Sequence, residues 1–337
     1  MRTNTRKSFN QLMAGLANHY GVDCMSEAFT IAAPLESTLN DMVQESSDFL
    51  SMISMAAVTD PKGQALQLGI DGLVGKRTDT TTKDRTPNML NGPNGTTWET
   101  VFTEFDVGMT YAMLDQWARY KDFPQRYMKA VYRAIALTRM SVGFNGTSVV
   151  VGDSNPGANT LGEDLNKGWL HLLKEGNANN YMNSQTYYIH ESATSAQGYK
   201  SLDGLVADLY NSIAIEHRTG NEVAFIGSSL LGADSNKVYN DHGNTPSEKK
   251  DVAQMLNSYG GLRALQIPKF PTMGVLVTDP ENLHLYFQEN GTRRHTEEEP
   301  KRSRVVDYIS SNDAYAIGNL KAMAAIDPAM VSLAAPV

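Results

Sequence analysis

FPQRYMKAVYRAIALTRMSVGFNG, residues Phe123 to Gly146, reads as one long helix near the middle of a 337-residue chain. Asp122 precedes it as a cap, and Pro124 falls in the first turn, where its missing N–H costs little. Met128, Val131, Ile135 and Val142 recur at helical spacing with Tyr132 alongside, an apolar stripe that must be covered. Arg126, Lys129 and Arg133 share another face, and no Asp or Glu lies between Pro124 and Gly146. At about 1.5 Å per residue the stretch spans roughly 36 Å, the width of a small domain. It is a strut to which the rest must attach.

Upstream, Phe9, Leu12, Met13, Leu16, Ala17 and Tyr20 follow helical spacing until Gly21 ends the run. This short amphipathic helix needs a partner surface for its stripe. After the small-residue passage Phe29-Thr30-Ile31-Ala32-Ala33-Pro34, a second helix shows Leu35, Leu39, Met42, Val43, Phe49, Leu50 and Ile53 on one side. Glu36, Asp41, Glu45 and Asp48 lie on the other. From Asp60 to about Thr97 Gly and Thr dominate. Leu66, Leu68 and Ile70 alternate on one flank, and Phe105, Val107, Met109, Tyr111 and Met113 on the other. Two strands joined through a polar tip make a long projecting hairpin, unstable unless it lies on a neighbour.

Downstream, Asp153-Ser154-Asn155-Pro156-Gly157 is a turn signal. Helices are expected around Trp169 to Leu173, from Leu202 to His217, from Ser228, and through Val252 and Leu256. Val223 to Gly227, Val275 to Val277 and Leu283 to Phe287 read as strands, completing an α/β module of about 120 residues. The chain from Arg293 is charged, then extended through Val305, Val306, Tyr308, Ile309, Tyr315, Ile317 and Leu320. Residues after Pro328 read as loose.

The composition, 41% hydrophobic and 20% charged, is that of a soluble folded protein of about two domains. A net charge of −8 and a pI near 5.4 argue against a dedicated nucleic-acid binder. The single Cys24 excludes an internal disulfide and a multi-cysteine metal site, and suits a reducing compartment. No apolar run approaches a membrane span, and Ser8 to Val22 is amphipathic rather than a signal core, so the chain is expected to be neither exported nor membrane-embedded.

Catalytic motifs are approached and missed. In Gly69 to Arg77 (GIDGLVGKR) five residues separate Gly69 from Gly75 where a phosphate-binding loop needs four, and Arg77 replaces the Mg²⁺-binding hydroxyl. Gly227-Ser228-Ser229-Leu230-Leu231-Gly232 follows a strand as a nucleophile elbow would, but its second glycine comes one position late, and Ser228 reads as a helix cap. The histidines are scattered without zinc-ligand spacing. Two charged features remain. The Arg126, Lys129, Arg133 face meets either acidic groups of a neighbouring segment or subunit, or the phosphates of packaged nucleic acid. The run from Arg293 to Arg302 (RRHTEEEPKR) is either a solvated loop or a complementary contact between copies of the chain.

Taken together, certain strings carry a resemblance. They are Met1-Arg2 with Thr5-Arg6 and Phe9-Asn10, then Gln44-Glu45-Ser46-Ser47-Asp48-Phe49-Leu50, then Leu114-Asp115 with Trp117-Ala118-Arg119-Tyr120 and Asp122-Phe123. Gly143-Phe144-Asn145-Gly146, Ser154-Asn155-Pro156 and Gly168-Trp169-Leu170 follow. Arg293-Arg294, Glu297-Glu298, Pro300-Lys301 and Arg304-Val305 close the series. In that order, over nearly the full length, the chain resembles the major capsid proteins of P2-like tailed phages.

The resemblance implies an α+β chain with the Hong Kong-type (HK97-like) capsid fold. Residues 1–33 would be a scaffolding-like segment removed by a head-maturation protease, 34–59 an N-terminal arm, and 60–112 an extended loop lying over a neighbouring subunit. Residues 113–165 and 288–327 would form a peripheral domain with the spine helix 123–146, residues 166–287 an axial domain, and 328–337 a loose end. It implies a subunit that associates with itself in pentamers and hexamers around double-stranded DNA, in a virion assembled in the bacterial cytoplasm, with protease, scaffolding protein and portal as partners. It calls for no membrane, cofactor, metal or catalytic residue. Cleavage is expected at Phe29, Thr30, Ile31, Ala32 or Ala33, because small residues separate two helices there. Arg293, Arg294, Glu297, Glu298, Lys301 and Arg304 become candidates for contacts between subunits.

Overall fold

The computed structural model describes residues 2–64, 77–86, 97–117, 120, 122–242 and 258–336. Its α-helices, in chain order, are α1 (Thr3–Tyr20), α2 (Ala33–Glu45), α3 (Tyr111–Trp117), α4 (Phe123–Asn145), α5 (Trp169–Gly176), α6 (Leu202–Ser212) and α7 (Ser228–His242). The strut is α4. Val131, Ile135, Val142 and Phe144 are buried along it, as the stripe requires. Asp122 makes no capping bond; its carboxylate instead accepts from Arg126 Nε at 2.7 Å, one turn along.

The strand Arg304–Ile317 is the hub of a seven-stranded sheet. One of its edges takes Arg293–Glu299 and then Leu283–Gln288, and the other takes Val107–Thr110 and then Val101–Glu104, all antiparallel. Phe29–Thr30 extends the sheet beyond Arg293–Glu299, and Ser54–Val58 lies parallel to Leu283–Gln288 at the far side. A fourteen-residue strand can serve four partners because each needs only part of its length.

A second, six-stranded sheet runs in the order Ser258–Tyr259, Leu262–Leu265, Val223–Ile226, Val275–Thr278, Met323–Ile326, Tyr181–Met182. Its central strands are apolar on both faces, as strands covered on both sides must be. Ala224, Ile226, Val275, Val277, Ala324 and Ile326 pack on Leu205, Val206 and Leu209 of α6. Phe225, Leu276, Met323 and Ala325 point the other way, into a core shared with α4, α5 and the first sheet. At that junction Trp169 is fully buried between Phe49, Phe144 and Tyr315, with Nε1 donating to His284 O at 3.0 Å. Gly143 makes room for it: a Cβ there would stand 2.3 Å from the indole.

Several expectations are corrected. Helix α2 stops at Glu45, and the chain then makes a short 3₁₀ turn, Leu50–Met52, before the strand Ser54–Val58. The alternation from Phe105 to Met113 is not one strand. Buried Phe105 divides Val101–Glu104 from Val107–Thr110, and Tyr111 and Met113 belong to α3. Helix α6 ends at Ser212, ahead of the 3₁₀ turn Ile215–His217. Leu283–Gln288 joins the hub sheet rather than the α/β module. Conversely Met323–Ile326 crosses into the module's sheet, and Val331–Ser332 pairs with Tyr187–Ile189, so the end beyond Pro328 is not loose up to that strand. The hairpin base is present as Lys62–Gln64 against Thr97–Glu99, with Trp98 leaning on Tyr286 at 5.2 Å. Leu66, Leu68, Ile70, most of the Gly69 to Arg77 loop, most of the tip, and the Val252 and Leu256 helix lie outside the described residues.

Candidate assembly site

The N-terminal helix is seated on the chain's own sheet. Phe9, Leu12, Leu16 and Tyr20 are buried, and the residual gap that the first three share with Met109, Leu114, Phe123, Tyr127 and Val305 is only about 10 Å³. Gly21 ends the helix in the left-handed conformation (φ 66°), open to glycine at little cost. Arg6 forks onto Glu298 at 2.5 and 2.8 Å, and Tyr111 donates its hydroxyl to the same carboxylate at 2.7 Å. The hydrogen bonds from Arg6 and then Tyr111 hold Glu298 below the ordinary glutamate range.

At the other end of α1, Arg294 is buried. Its Nη1 donates to the Tyr20 hydroxyl at 2.9 Å, while Nε and Nη2 fork onto Asp307 at 3.0 and 2.5 Å. Burial opposes the guanidinium charge, but Asp307, by charge and hydrogen bond, more than offsets it, so Arg294 stays protonated above its usual value. Tyr127, buried beside Asp307, is pushed up.

Two more buried charges tie the frame together. Arg139 of α4 donates to Asp313 at 2.9 and 3.1 Å and to Asn40 Oδ1 of α2 at 2.8 Å. Glu36 of α2, expected on the side opposite the apolar stripe, is buried, and it accepts from the amides of Asn290 and Thr292 at 2.7 and 2.9 Å and from the Thr292 hydroxyl. Sequence reading missed both. The available signal was position: Arg139 continues the Val131–Ile135 row, and Glu36 lies one turn before Leu39 and Asn40 on the inward face.

The candidate contact residues divide in two. Arg293 to Glu299 is a strand rather than a loop. Within it Arg294 and Glu298 are engaged inside the chain as above, and Arg304 donates to Glu299 at 2.7 Å; Arg294 is buried, while Glu298 and Arg304 are half-buried. Arg293, Glu297 and Lys301 remain exposed on the outer side of the strand and at its turn. Arg126, Lys129 and Arg133 are all exposed on α4, but not equivalent. Arg126 pairs with Asp122 and lies 4.8 Å over the Tyr120 ring, and Arg133 donates to Ser46 O at 2.6 Å. Lys129 borders an open apolar groove of about 640 Å³ lined by Leu12, Leu16, Met42, Met128 and Tyr132.

The expected cleavage stretch is held in place. Phe29 and Thr30 pair with Arg294 and Arg293, the Ile31 amide donates to Thr292 O at 2.9 Å, and the Ile31 side chain is buried. Exposed apolar side chains that the monomer leaves uncovered include Phe102, Met113, Trp117 and Tyr120, together with Val149, Val150 and Val151 on the loop after α4. Ser228 is the first residue of α7 and is exposed. Among the described residues no cluster of His, Cys, Asp and Glu is placed to hold a metal, and no helix is long and apolar enough to cross a membrane.

A family model described as phage major capsid protein, P2 family, matches residues 8–329. The chain is 31% identical over 332 residues to the "Capsid proteins" of Escherichia phage P2, covering 94% of this chain and 92% of that one. It is 28% identical over 338 residues to the "Major capsid protein" of Serratia phage KSP20, covering 97% of each. Among solved structures it matches a chain of the satellite phage P4 procapsid including size determination (Sid) protein, with a TM-score of 0.75, 29% identity and 99% of both chains covered. A chain of the empty GTA particle capsid shares the fold at a TM-score of 0.51 and 12% identity, over 83% of this chain and 89% of that one.

Proposed function

The chain belongs to the P2 family of phage major capsid proteins, has their Hong Kong-type (HK97-like) fold and forms the shell of a phage capsid, and from that premise we propose how its parts divide the work. Copies associate in pentamers and hexamers that enclose double-stranded DNA. Assembly takes place in the bacterial cytoplasm, with scaffolding protein, portal and a head-maturation protease, and involves no catalysis by this chain. The hub sheet with α2 and α4 is the peripheral domain, and the six-stranded sheet with α6 and α7 is the axial domain. Strand pairing argues for assigning 283–317 to the first and 323–332 to the second. The hairpin that continues from the base Lys62–Gln64 with Thr97–Glu99 reaches a neighbouring subunit, whereas Val101–Glu104 and Val107–Thr110, part of the expected 60–112 loop, stay on the hub sheet.

The observation that carries this division is the hairpin base, Lys62–Gln64 with Thr97–Glu99, a two-stranded ladder separate from both large sheets. Several modest contacts per copy, closed by symmetry, make a shell whose loss needs many simultaneous breaks. Negative-stain imaging of the expressed chain should show shells, rings or tubes; a discrete monomer at every concentration would overturn the reading. Deleting residues 76–95 should leave the α/β core folded and abolish regular particles.

Cleavage at Phe29 to Ala33 is proposed for the same reason as before, with one addition. Phe29–Thr30 is already extended at the outer end of the sheet order, the conformation in which a binding groove takes a strand. The intact mass of the subunit in mature particles tests it, and a full-length mass would refute it. Arg293, Glu297 and Lys301 are the exposed charged candidates for subunit contacts. Lys129, with Arg126 and Arg133 beside it, is the candidate for acidic neighbours or DNA phosphates.

A further inference from the structure

We propose that the seat of α1 is a binding groove in its own right: it keeps residues 2–20 in place after the connection to α2 has been cut, and it takes up the same amphipathic helix supplied as a separate peptide. The inference deepens the reading that the N-terminal segment is a cleavable piece, and rests on it.

The contacts of α1 described above are made by residues up to Tyr20. Arg6 holds Glu298, Phe9, Leu12 and Leu16 fill the apolar seat, and Tyr20 meets Arg294. The helix also ends by its own means, since Val22 N donates to Ala17 O at 3.0 Å behind Gly21. The connection that follows is exposed at Asp23, Cys24, Ser26, Glu27 and Ala28, while Met25 among them is buried and its carbonyl accepts from Thr296 N at 2.9 Å. The clip on the N-terminal side therefore extends to Met25, and the open stretch is Ser26 to Ala28. Cutting the chain there removes no contact of the seat. Releasing the helix, by contrast, uncovers Leu114, Phe123 and Val305 and strips one donor of a buried guanidinium of its acceptor, which is far costlier than leaving a surface group solvated.

What the cut does remove is tethering. A free segment of this length is a marginal helix in water and must fold as it binds, so its affinity is weaker than the intramolecular contact suggests. A short tether is equivalent to roughly millimolar ligand. A fragment confined with its seat inside a closed shell would sit in the same range, and a micromolar dissociation constant is then enough for near-complete occupancy. The partner class is therefore narrow: an amphipathic helix with an arginine in its first turn, an apolar stripe at i, i+3, i+7, and a tyrosine in its last turn.

The test uses the full chain with a site-specific protease sequence inserted between Ser26 and Glu27, both exposed. After cutting, the N-terminal fragment should co-elute with the remainder on gel filtration, and an isotope-labelled synthetic peptide of residues 2–24 should exchange into the complex. In the peptide, Leu12→Asp should weaken exchange at least 100-fold. Arg6→Ala should weaken it roughly tenfold, a difference that shrinks at high salt, and Tyr20→Phe should weaken it roughly tenfold irrespective of salt. The proposal is overturned if the fragment runs free as soon as it is cut while the remainder stays folded. It is overturned equally if the remainder aggregates, since a held fragment would have kept the seat covered, or if the Leu12→Asp peptide binds like the native one. Because the cut is engineered, failure of natural cleavage at Phe29 to Ala33 leaves this test intact, and loss of the fragment would leave shell assembly by the chain untouched.

Discussion

The hub sheet and the six-stranded sheet are both interior, yet they are held by different forces. The central strands of the second, Val223–Ile226, Val275–Thr278 and Met323–Ile326, contain no charged residue. The first buries Arg294 with Asp307 at 1% exposure or less and Arg139 with Asp313 at 3%, and it takes Glu36 from α2 as well. The residues joined differ in separation too. Arg139 and Asp313 lie 174 positions apart, Glu36 and Thr292 256, and Arg6 and Glu298 292. An apolar face accepts many registers, whereas a forked guanidinium accepts one. Where remote segments must find one seat on a shared sheet, buried charge supplies direction at some cost in stability. That is a hypothesis for this protein, and it can be broken.

The largest effect is expected at Arg139. Arg139→Ala leaves Asp313 buried and unpaired and should lower unfolding stability by about 3–5 kcal/mol, read as a fall in the melting midpoint and loss of regular particles. Replacing both partners, Arg139→Met with Asp313→Leu, should recover most of that stability. If this double variant also assembles normally, charge is not what sets the register. Leu209→Ala, a cavity in the all-apolar half, should cost roughly 2–4 kcal/mol without changing how α1 is held, as hydrogen exchange of α1 amides would report. A loosened α1 would show the two halves to be one unit.

Tyr20→Phe should cost about 1–2 kcal/mol and speed proteolytic nicking of the 21–28 connection at neutral pH. Nicking should also respond to acid. Glu298 is depressed in the folded chain, so its contribution is fully present at neutral pH and disappears as pH falls below the ordinary carboxylate range of about 4. Nicking that slows on acidification would contradict that sign. The smallest change belongs to the exposed pair: Arg126→Gln should move the melting midpoint by less than about 0.5 kcal/mol equivalent, leaving particle yield and DNA content as the informative readouts.

Helices were legible where spacing and termination agreed, as in α1 with Gly21 and α4 with its Val131–Ile135–Val142 row. Strand partners were less so. Val305 to Ile317 reads as extended, but nothing local reveals that its two edges serve four other strands. Period-two spacing carried the hairpin flank too far, because Thr110, whose hydroxyl accepts from Met113 N at 3.4 Å, starts a helix in the middle of an alternating run. Buried charge was the least legible. Arg139, Glu36 and Arg294 look like surface residues by type, and only their phase along helix or strand places them inside. Among the candidate contacts, exposure separates Arg293, Glu297 and Lys301 from Arg294, Glu298 and Arg304, a distinction that composition cannot make.

The hub strand also fixes an order of events during synthesis. Residues 1–303 leave the ribosome before the segment on which α1, α4 and the hairpin base converge. At about 5–20 residues per second, that is roughly 15–60 s during which amphipathic pieces wait for a common support. Nascent chains halted before residue 304 should therefore be sticky and protease-sensitive in their first third, and the family of contacts that makes a good tile makes a slow, chaperone-hungry newborn.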